Sequence, residues 1–349
     1  MNSKKLVLFS LLASAAFLMS ACSVSTNSSS SSGSAESDSS VFLSANGGNS
    51  WREAVSLTSP TQPDNIRALN VNVMTMDPQD SLAIYLASFD KGLYYTYNII
   101  DNGWIKVESL PQTTINDVKV DPKNKCLIYV AISNRLYRSN DCARTWAQTY
   151  YDNNAEVSVN TVVVDHYNPK NIYIGTSRGE IIKSIDSGVS WRTVKRLDDG
   201  ITKLIIYPLD RRLVFVASSR NKIYSFYSNT DTNSAESADI SRNFVVSNWN
   251  DLNDVLKNYD LGNSFKDFVV GAFDGRMFIA TNQAILRSPD NGVTWEKIKL
   301  IQPEKDAVIN ALAVNPKNSD NLYYVTNTTF FHSIDGGTTW TTKKLPTKK

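Results

Sequence analysis

An all-β chain folded as a single β-propeller is the fold class this sequence predicts, and three observations predict it. The seven tryptophans, Trp51, Trp104, Trp146, Trp191, Trp249, Trp295 and Trp340, fall 42 to 58 residues apart along a chain of 349 residues. Most of them close one eight-residue phrase, Ser-x-Asp-x-Gly-x-Ser/Thr-Trp. A second phrase, alternating in apolar and polar residues and in three copies ending in Asp-Pro or Asn-Pro, recurs six times from residue 71 onward. A period of about 40–50 residues marks propellers and repeat arrays, and tryptophan is too rare for this spacing to arise by chance.

The Trp-closed phrase is cleanest at residues 184–191, with Asp186 and Gly188, at 288–295, with Asp290 and Gly292, and at 333–340, with Asp335 and Gly337. Two copies are degenerate: residues 44–51 carry Asn46 for the aspartate, and 139–146 keep Asp141 but have Ala143 for the glycine. Each copy lies between two short alternating runs, so it predicts a hairpin turn between strands. Glycine supplies a positive φ there, and the carboxylate accepts hydrogen bonds from amides of its own turn. The closing Trp51, Trp146, Trp191, Trp295 and Trp340 start an outer strand, where the ring fills the space between adjacent sheets.

The second phrase occurs at residues 71–78, 115–122, 159–165, 201–208, 265–271 and 309–316. It predicts an innermost strand, followed after its turn by a second strand. Four short strands per repeat make one blade, which gives six complete blades. Residues 41–55 hold only an outer hairpin, an N-terminal half-blade predicted to pack against the ring's closure; a seven-bladed ring with one reduced blade is the alternative. Blade four replaces its Asp-bearing turn with a Ser/Asn-rich insertion at residues 228–247, read as a surface loop or a partner-contact loop. Helical spacing through Leu252, Val255 and Leu256 follows it.

The chain divides into residues 1–21, 22–40 and the propeller at 41–349. The first part has two lysines, an apolar run and Ser20-Ala21 before Cys22, the pattern of a secretory signal and too short for a membrane span. Residues 23–40 contain eleven serines and almost nothing apolar, the composition of a disordered tether. Removing Lys4 and Lys5 with the signal lowers the basic residues from 36 to 34, equal to the 34 acidic ones, and this neutrality argues against a nucleic-acid partner. Cys126 opens the second strand of blade two and Cys142 lies in the turn that ends the third. Those strands are antiparallel neighbours, so a disulfide is reasonable and fits an oxidising compartment; two buried thiols are the alternative.

The entrance position of the inner strands is Asn72, Asn116, Asn160, Thr202, Lys266 and Asn310, and the next position adds Asp117, Thr161, Lys203 and Asp267. These residues either stitch neighbouring blades together or form a funnel that binds a peptide or polar ligand. No cofactor is expected. His166 and His332 stand apart, so neither a metal centre nor a histidine triad can be assembled from them.

The Trp-closed phrase resembles the Asp-box, or BNR repeat, of sialidases, sortilin-type propellers, xyloglucan-cleaving glycosidases and the lipoprotein-like assembly factors of photosystem II. In all of these the box is a structural turn, which implies a structural role for Asp141, Asp186, Asp290 and Asp335. The N-terminus resembles a bacterial lipobox, with Met19 where Leu is usual, which implies that Cys22 is acylated and inserted in the bilayer. The sialidase resemblance implies an arginine cluster and an Arg-Ile-Pro phrase, and neither is present. The xyloglucanase resemblance implies a chain about twice as long. A glycosidase also needs two carboxylates about 5–10 Å apart; Asp117 and Asp267 occupy equivalent inner-strand positions, but Lys203, Val73 and Ala311 share that position, so it is not specialised. The expectation is a monomeric, membrane-anchored, extracytoplasmic propeller that binds or helps assemble an unidentified protein partner without catalysis. A carbohydrate-active hydrolase is the alternative.

Overall fold

Six four-stranded antiparallel sheets follow one another along the chain in a computed structural model of the protein. It describes residues 6–10, 40–58, 64–228, 244, 246–259, 265–301 and 308–345, with side chains from residue 41 onward. Cys22, most of the tether at 22–40 and most of the blade-four insertion lie outside the described residues.

An N-terminal sheet comes first, made of Leu6–Ser10 (β1), Ser40–Ser44 (β2) and Arg52–Glu53 (β3). Blade one is Val71–Asp77, Asp80–Ser88, Leu93–Thr96 and Ile105–Lys106 (β4–β7). Blade two is Asp117–Asp121, Asn124–Ile132, Arg135–Ser139 and Ala147–Tyr151 (β8–β11). Blade three is Val159–Val164, Ile172–Thr176, Glu180–Ser184 and Arg192–Arg196 (β12–β15). Blade four is Ile201–Ile206, Leu213–Ser218, Ile223–Ser228 and Val246–Asp251 (β16–β19), followed by the one-turn helix Asn253–Leu256 (α1) where helical spacing was read. Blade five is Phe265–Val270, Met277–Thr281, Ile285–Ser288 and Glu296–Lys297 (β20–β23). Blade six is Ala311–Asn315, Asn318–Val325, Thr329–Ser333 and Thr341–Lys344 (β24–β27).

The second strands are buried on both faces, because each blade is covered by a neighbour on either side. Ile128, Tyr129, Val130 and Ala131 in β9 are fully enclosed, as are Ile172, Tyr173 and Ile174 in β13. Apolar clusters form at the seams between blades, as where Tyr85 and Ala87 of blade one meet Val118, Ile128 and Val130 of blade two. Burial of that much Val, Ile and aromatic surface is the main stabilising term.

The N-terminal hairpin packs at the closure. Val41 and Leu43 join the cluster of Val71, Met74 and Ile84 in blade one, while Trp51 packs with Tyr323 and Phe330 of blade six. The rings of Trp51 and Phe330 meet edge to face at 5.4 Å. The strand β1 lies parallel to β2. The sequence assigns Leu6–Ser10 to a secretory segment, and a chain cut before Cys22 would keep only β2 and β3 of this sheet.

Each tryptophan reaches back toward the preceding blade. The Trp191 Nε1 donates to the Thr149 carbonyl of blade two at 2.9 Å, and that of Trp340 to the Lys299 carbonyl after blade five at 3.1 Å. Trp104 donates in the same way to the Ala54 carbonyl beside the hairpin at 2.7 Å. The seven tryptophans therefore mark seven seams, two of which flank the hairpin: Trp51 against blade six and Trp104 of blade one against the hairpin. A second set of ties runs forward: Arg138, just before the blade-two box, donates to the Ser187 carbonyl in the next box at 3.0 Å, and Arg287 donates to the Gly336 carbonyl at 2.8 Å.

Candidate functional site

The entrance residue of each inner strand is the extra residue of a β-bulge. The register slips across Asn72, Asn160, Thr202 and Lys266, each opposed by no single partner. In blades two and six the Asn116 and Asn310 amides bond the carbonyls of Ala131 and Val325, the residues that also pair with Asp117 and Ala311. A bulge turns its side chain out of the ladder. The asparagines use that freedom to join the blades: Asn72, Asn116 and Asn160 each donate from Nδ2 to the next blade, to the carbonyls of Ile115 at 2.8 Å, Val159 at 2.9 Å and Ile201 at 2.9 Å. Asn310 instead donates to Asn327 Oδ1 within its own blade.

Below the entrance runs a cavity of about 230 Å³ along the inner strands of blades one to five. Asn116, Asp117, Asn160, Lys203, Lys266 and Asp267 are brought together around it. Asn72 and Asn310 are not among its lining residues, and no residue of blade six lines it. Its far end is apolar, formed by Met76, Pro78, Ile206, Pro208, Val270 and Ala272.

The two carboxylates are not solvent-facing acids. Asp117 is 6 % exposed and Asp267 3 % exposed. Oδ1 of Asp117 accepts from the Lys119 ammonium at 2.6 Å and the Val118 amide at 2.9 Å. Its Oδ2 accepts from the Thr161 hydroxyl at 3.1 Å and the Val162 amide at 2.9 Å, which locks blade two to blade three. Asp267 accepts from the Phe268 amide and forms an ion pair with Lys203, tying blade five to blade four. Both carboxylates are thus engaged by a lysine and by backbone amides in the channel wall. Lys119 and Thr161 complete this site; only their equivalence in strand register points to them in the sequence.

The boxes do local structural chemistry. In the blade-three turn the Ser184 hydroxyl donates to Asp186 Oδ1 at 2.8 Å and accepts from the Gly188 amide at 2.8 Å, while Asp186 accepts from the amides of Val189 and Ser190. Two adjacent residues have positive φ in every box, Ser187 at 61° and Gly188 at 88° in this one, where the sequence reading assigns it to the glycine alone. The Cβ of any other residue at Gly188 would come within 2.6 Å of Thr149 Oγ1, so this turn also sits tight against the preceding blade. In the hairpin Asn46 replaces the carboxylate with an amide oxygen that still accepts from the Ser50 amide at 2.8 Å.

Hydrogen bonds from the Thr145 and Thr339 hydroxyls and amides hold the carboxyls of Asp141 and Asp335 down at about 2. Lowered folded-state values give a contribution present above the unfolded value of about 3.9. It is lost as the pH falls toward about 2. Carboxyl NMR titration should find Asp335 still ionised near pH 3 and titrating higher in Thr339→Val, which loses the hydroxyl bond but keeps those of the amide and Ser333; an ordinary value in the wild type would contradict the box geometry.

Cys126 and Cys142 form a disulfide. The same two places in blades three and six are joined only by a backbone bond, from Ser187 to the Lys170 carbonyl and from Gly336 to the Asp320 carbonyl. Blade two keeps that bond and adds the covalent link, at the one box where Cys142 and Ala143 carry the positive φ without a glycine. The closed loop of 16 residues is worth about 3 kcal/mol in the chain-entropy model. Reduction is expected to lower the urea unfolding free energy by about that much; an unchanged midpoint would show the link to be inert.

The two histidines are set in packing roles. His166 bonds the Pro208 carbonyl, and His332 bonds Asn321 Oδ1 and stacks on Tyr323; burial lowers the pKa of both. No grouping of His, Cys, Asp and Glu able to hold a metal ion occurs among the described residues.

Ring, seams and channel define a β-propeller. Residues 205–349, less than half of the chain, match the family described as the DUF6242 beta propeller domain. Among solved structures the chain is similar to the GH74 xyloglucanase of Xanthomonas campestris, at 16 % identity and a TM-score of 0.57 over 77 % of this chain and 44 % of that one. It thus spans less than half the length of that enzyme. It is also similar to YCF48 bound to a D1 peptide, at 16 % identity and a TM-score of 0.55 over 77 % of this chain and 80 % of that one, and to YCF48 from Cyanidioschyzon merolae, at 11 % identity and a TM-score of 0.52. At these identities the likeness establishes the propeller fold. No curated protein matches the sequence.

Proposed function

We propose that this chain is a lipid-anchored, extracytoplasmic propeller that binds a polypeptide segment of another protein at its channel and acts as a non-enzymatic scaffold. The observation that carries the reading is the state of the channel carboxylates: Asp117 pairs with Lys119 and bonds Thr161 and Val162 of blade three, and Asp267 pairs with Lys203 of blade four, so both are committed to the walls. What remains for a partner is a cavity with a polar mouth and an apolar far end. Similarity to a solved propeller in complex with a peptide, which the chain matches over most of that protein's length, supports the same reading. In this account residues 1–21 direct export, Cys22 is acylated, residues 22–40 tether the propeller to the outer face of a bacterial membrane, and the protein is a monomer.

A photo-crosslinking residue at Thr202, exposed at the mouth, should trap a discrete polypeptide in native membranes, whereas one at Tyr151 on an outer strand should not. Equal capture at both positions, or at neither, would refute channel binding. Cys22→Ser should move the protein from the membrane to the soluble fraction, and retention in the membrane would refute the anchor.

A further inference from the structure

The turns joining first to second strands form a ring of six tips at the end of the channel opposite the mouth. The same register position in successive blades is Gln79, Lys123, Tyr167, Leu209, Phe273 and Lys317. The equivalence is physical: Gln79, Lys123, Tyr167 and Lys317 each donate their backbone amide to the side-chain oxygen two residues back. The ring is two-sided. Tips of blades one, two and six are polar, while those of three, four and five are large and apolar, with Tyr167 47 %, Leu209 54 % and Phe273 74 % exposed.

The apolar tips adjoin one another. The Tyr167 hydroxyl donates to the Pro208 carbonyl at 3.1 Å, and Leu209 Cδ1 would lie 2.9 Å from a Cβ on Gly275 in the Phe273 turn. The cavity ends on Pro78, Pro208 and Ala272, each one residue before a tip, so the rim continues the channel wall. A contiguous apolar surface of this kind marks an interaction site.

Charge identifies the occupant. Of the acids on these six turns, Asp210 pairs with Arg212, Asp274 and Asp320 share Arg276, Asp77, Asp121 and Asp165 are buried, and Asp80 is half-buried and accepts from the Leu82 amide. Lys123, Lys125, Lys170 and Lys317 are exposed. The fully exposed charged residues of the inner rim, Arg212 included, are therefore all basic and lie beside its apolar arc. Farther out on the same face lie Asp141, Asp186, Asp290 and Asp335 of the boxes, as the bond between Tyr207 and Asn291 shows by joining a rim turn to a box. That outer acidic ring opposes an anionic bilayer but leaves the centre open to a narrow chain.

We infer that the rim docks an amphipathic polypeptide segment, with large apolar side chains seated on Tyr167, Leu209 and Phe273 and carboxylates facing the lysines. This rests on the channel-binding reading and adds the chemistry of its partner.

Fluorescence anisotropy tests it with the purified propeller and three synthetic peptides: one alternating Leu or Phe with Glu, one with Lys for Glu, and one with Ser for the apolar residues. Only the first should bind. Phe273→Ser combined with Leu209→Ser should weaken it about tenfold or more, as loss of central apolar anchors does. Lys317→Glu should weaken it less and flatten its salt dependence. All three positions are exposed, and unchanged melting curves will confirm intact folds. Binding that ignores the rim variants but disappears in Thr202→Trp would overturn the rim and leave the channel reading standing. Binding of none of the peptides, or of all three alike, would overturn it as well. So would sedimentation with phosphatidylglycerol vesicles that is lost in Phe273→Ser, which would assign the rim to lipid.

Discussion

Trp295→Ala is expected to destabilise the protein by about 3–5 kcal/mol, the cost of deleting a large buried aromatic. Trp295 is 6 % exposed and lies in the cluster that holds Leu252, Leu256, Phe215 and Met277 at the seam of blades four and five. Its Nε1 also donates to the Gly292 carbonyl at 3.0 Å, so truncation opens a cavity and removes a tie across the box. Val293→Ser, at a box tip that is 71 % exposed, serves as the control. It should move stability by about 0.5 kcal/mol or less. Urea unfolding compares the two, and a wild-type midpoint for Trp295→Ala would show that the ring does not close the seam.

Asp117→Ala should cost a similar amount, about 3–5 kcal/mol, because it breaks a largely buried ion pair and leaves its partners unsatisfied. Four donors lose their acceptor at once: the Lys119 ammonium, the Thr161 hydroxyl and the amides of Val118 and Val162. Asp117→Asn retains one carbonyl oxygen and should cost less, about 1–3 kcal/mol. Charge reversal at Asp117, which would be nearly neutral at an exposed position, is expected to be strongly destabilising at this buried one. Melting of Asp117→Ala at the wild-type temperature would show that the carboxylate is not a joint between blades.

The parts of this fold that are legible in sequence are those made by local contacts. A box closes its hydrogen bonds within five residues, so its pattern survives in Asn46 and Ala143 despite their departures. Inner strands are legible because their alternation ends in turns capped from two residues back, as at Asp121 and Lys123. The disulfide is legible because Cys126 and Cys142 flank neighbouring antiparallel strands. Contacts between blades are different in kind. Asp117 meets Thr161 and Lys203 meets Asp267 across separations of 44 and 64 residues. Periodicity makes these positions equivalent without saying which side chains touch, so the sequence leaves blade-joining and funnel roles both open. The division of the rim at Tyr167, Leu209 and Phe273 is also present in the sequence. It emerges only when the turns after the inner strands are aligned by the bond from the tip amide.

Binding without hydrolysis is the central claim, and a turnover assay tests it most directly. The purified propeller should release no reducing sugar from xyloglucan or other β-glucans and no sialic acid from sialosides, since Asp117 and Asp267 are bound into the walls by their lysine, hydroxyl and amide partners. Measurable turnover that is abolished by Asp117→Asn or Asp267→Asn, in variants that remain folded, would contradict the account and make the channel a catalytic site.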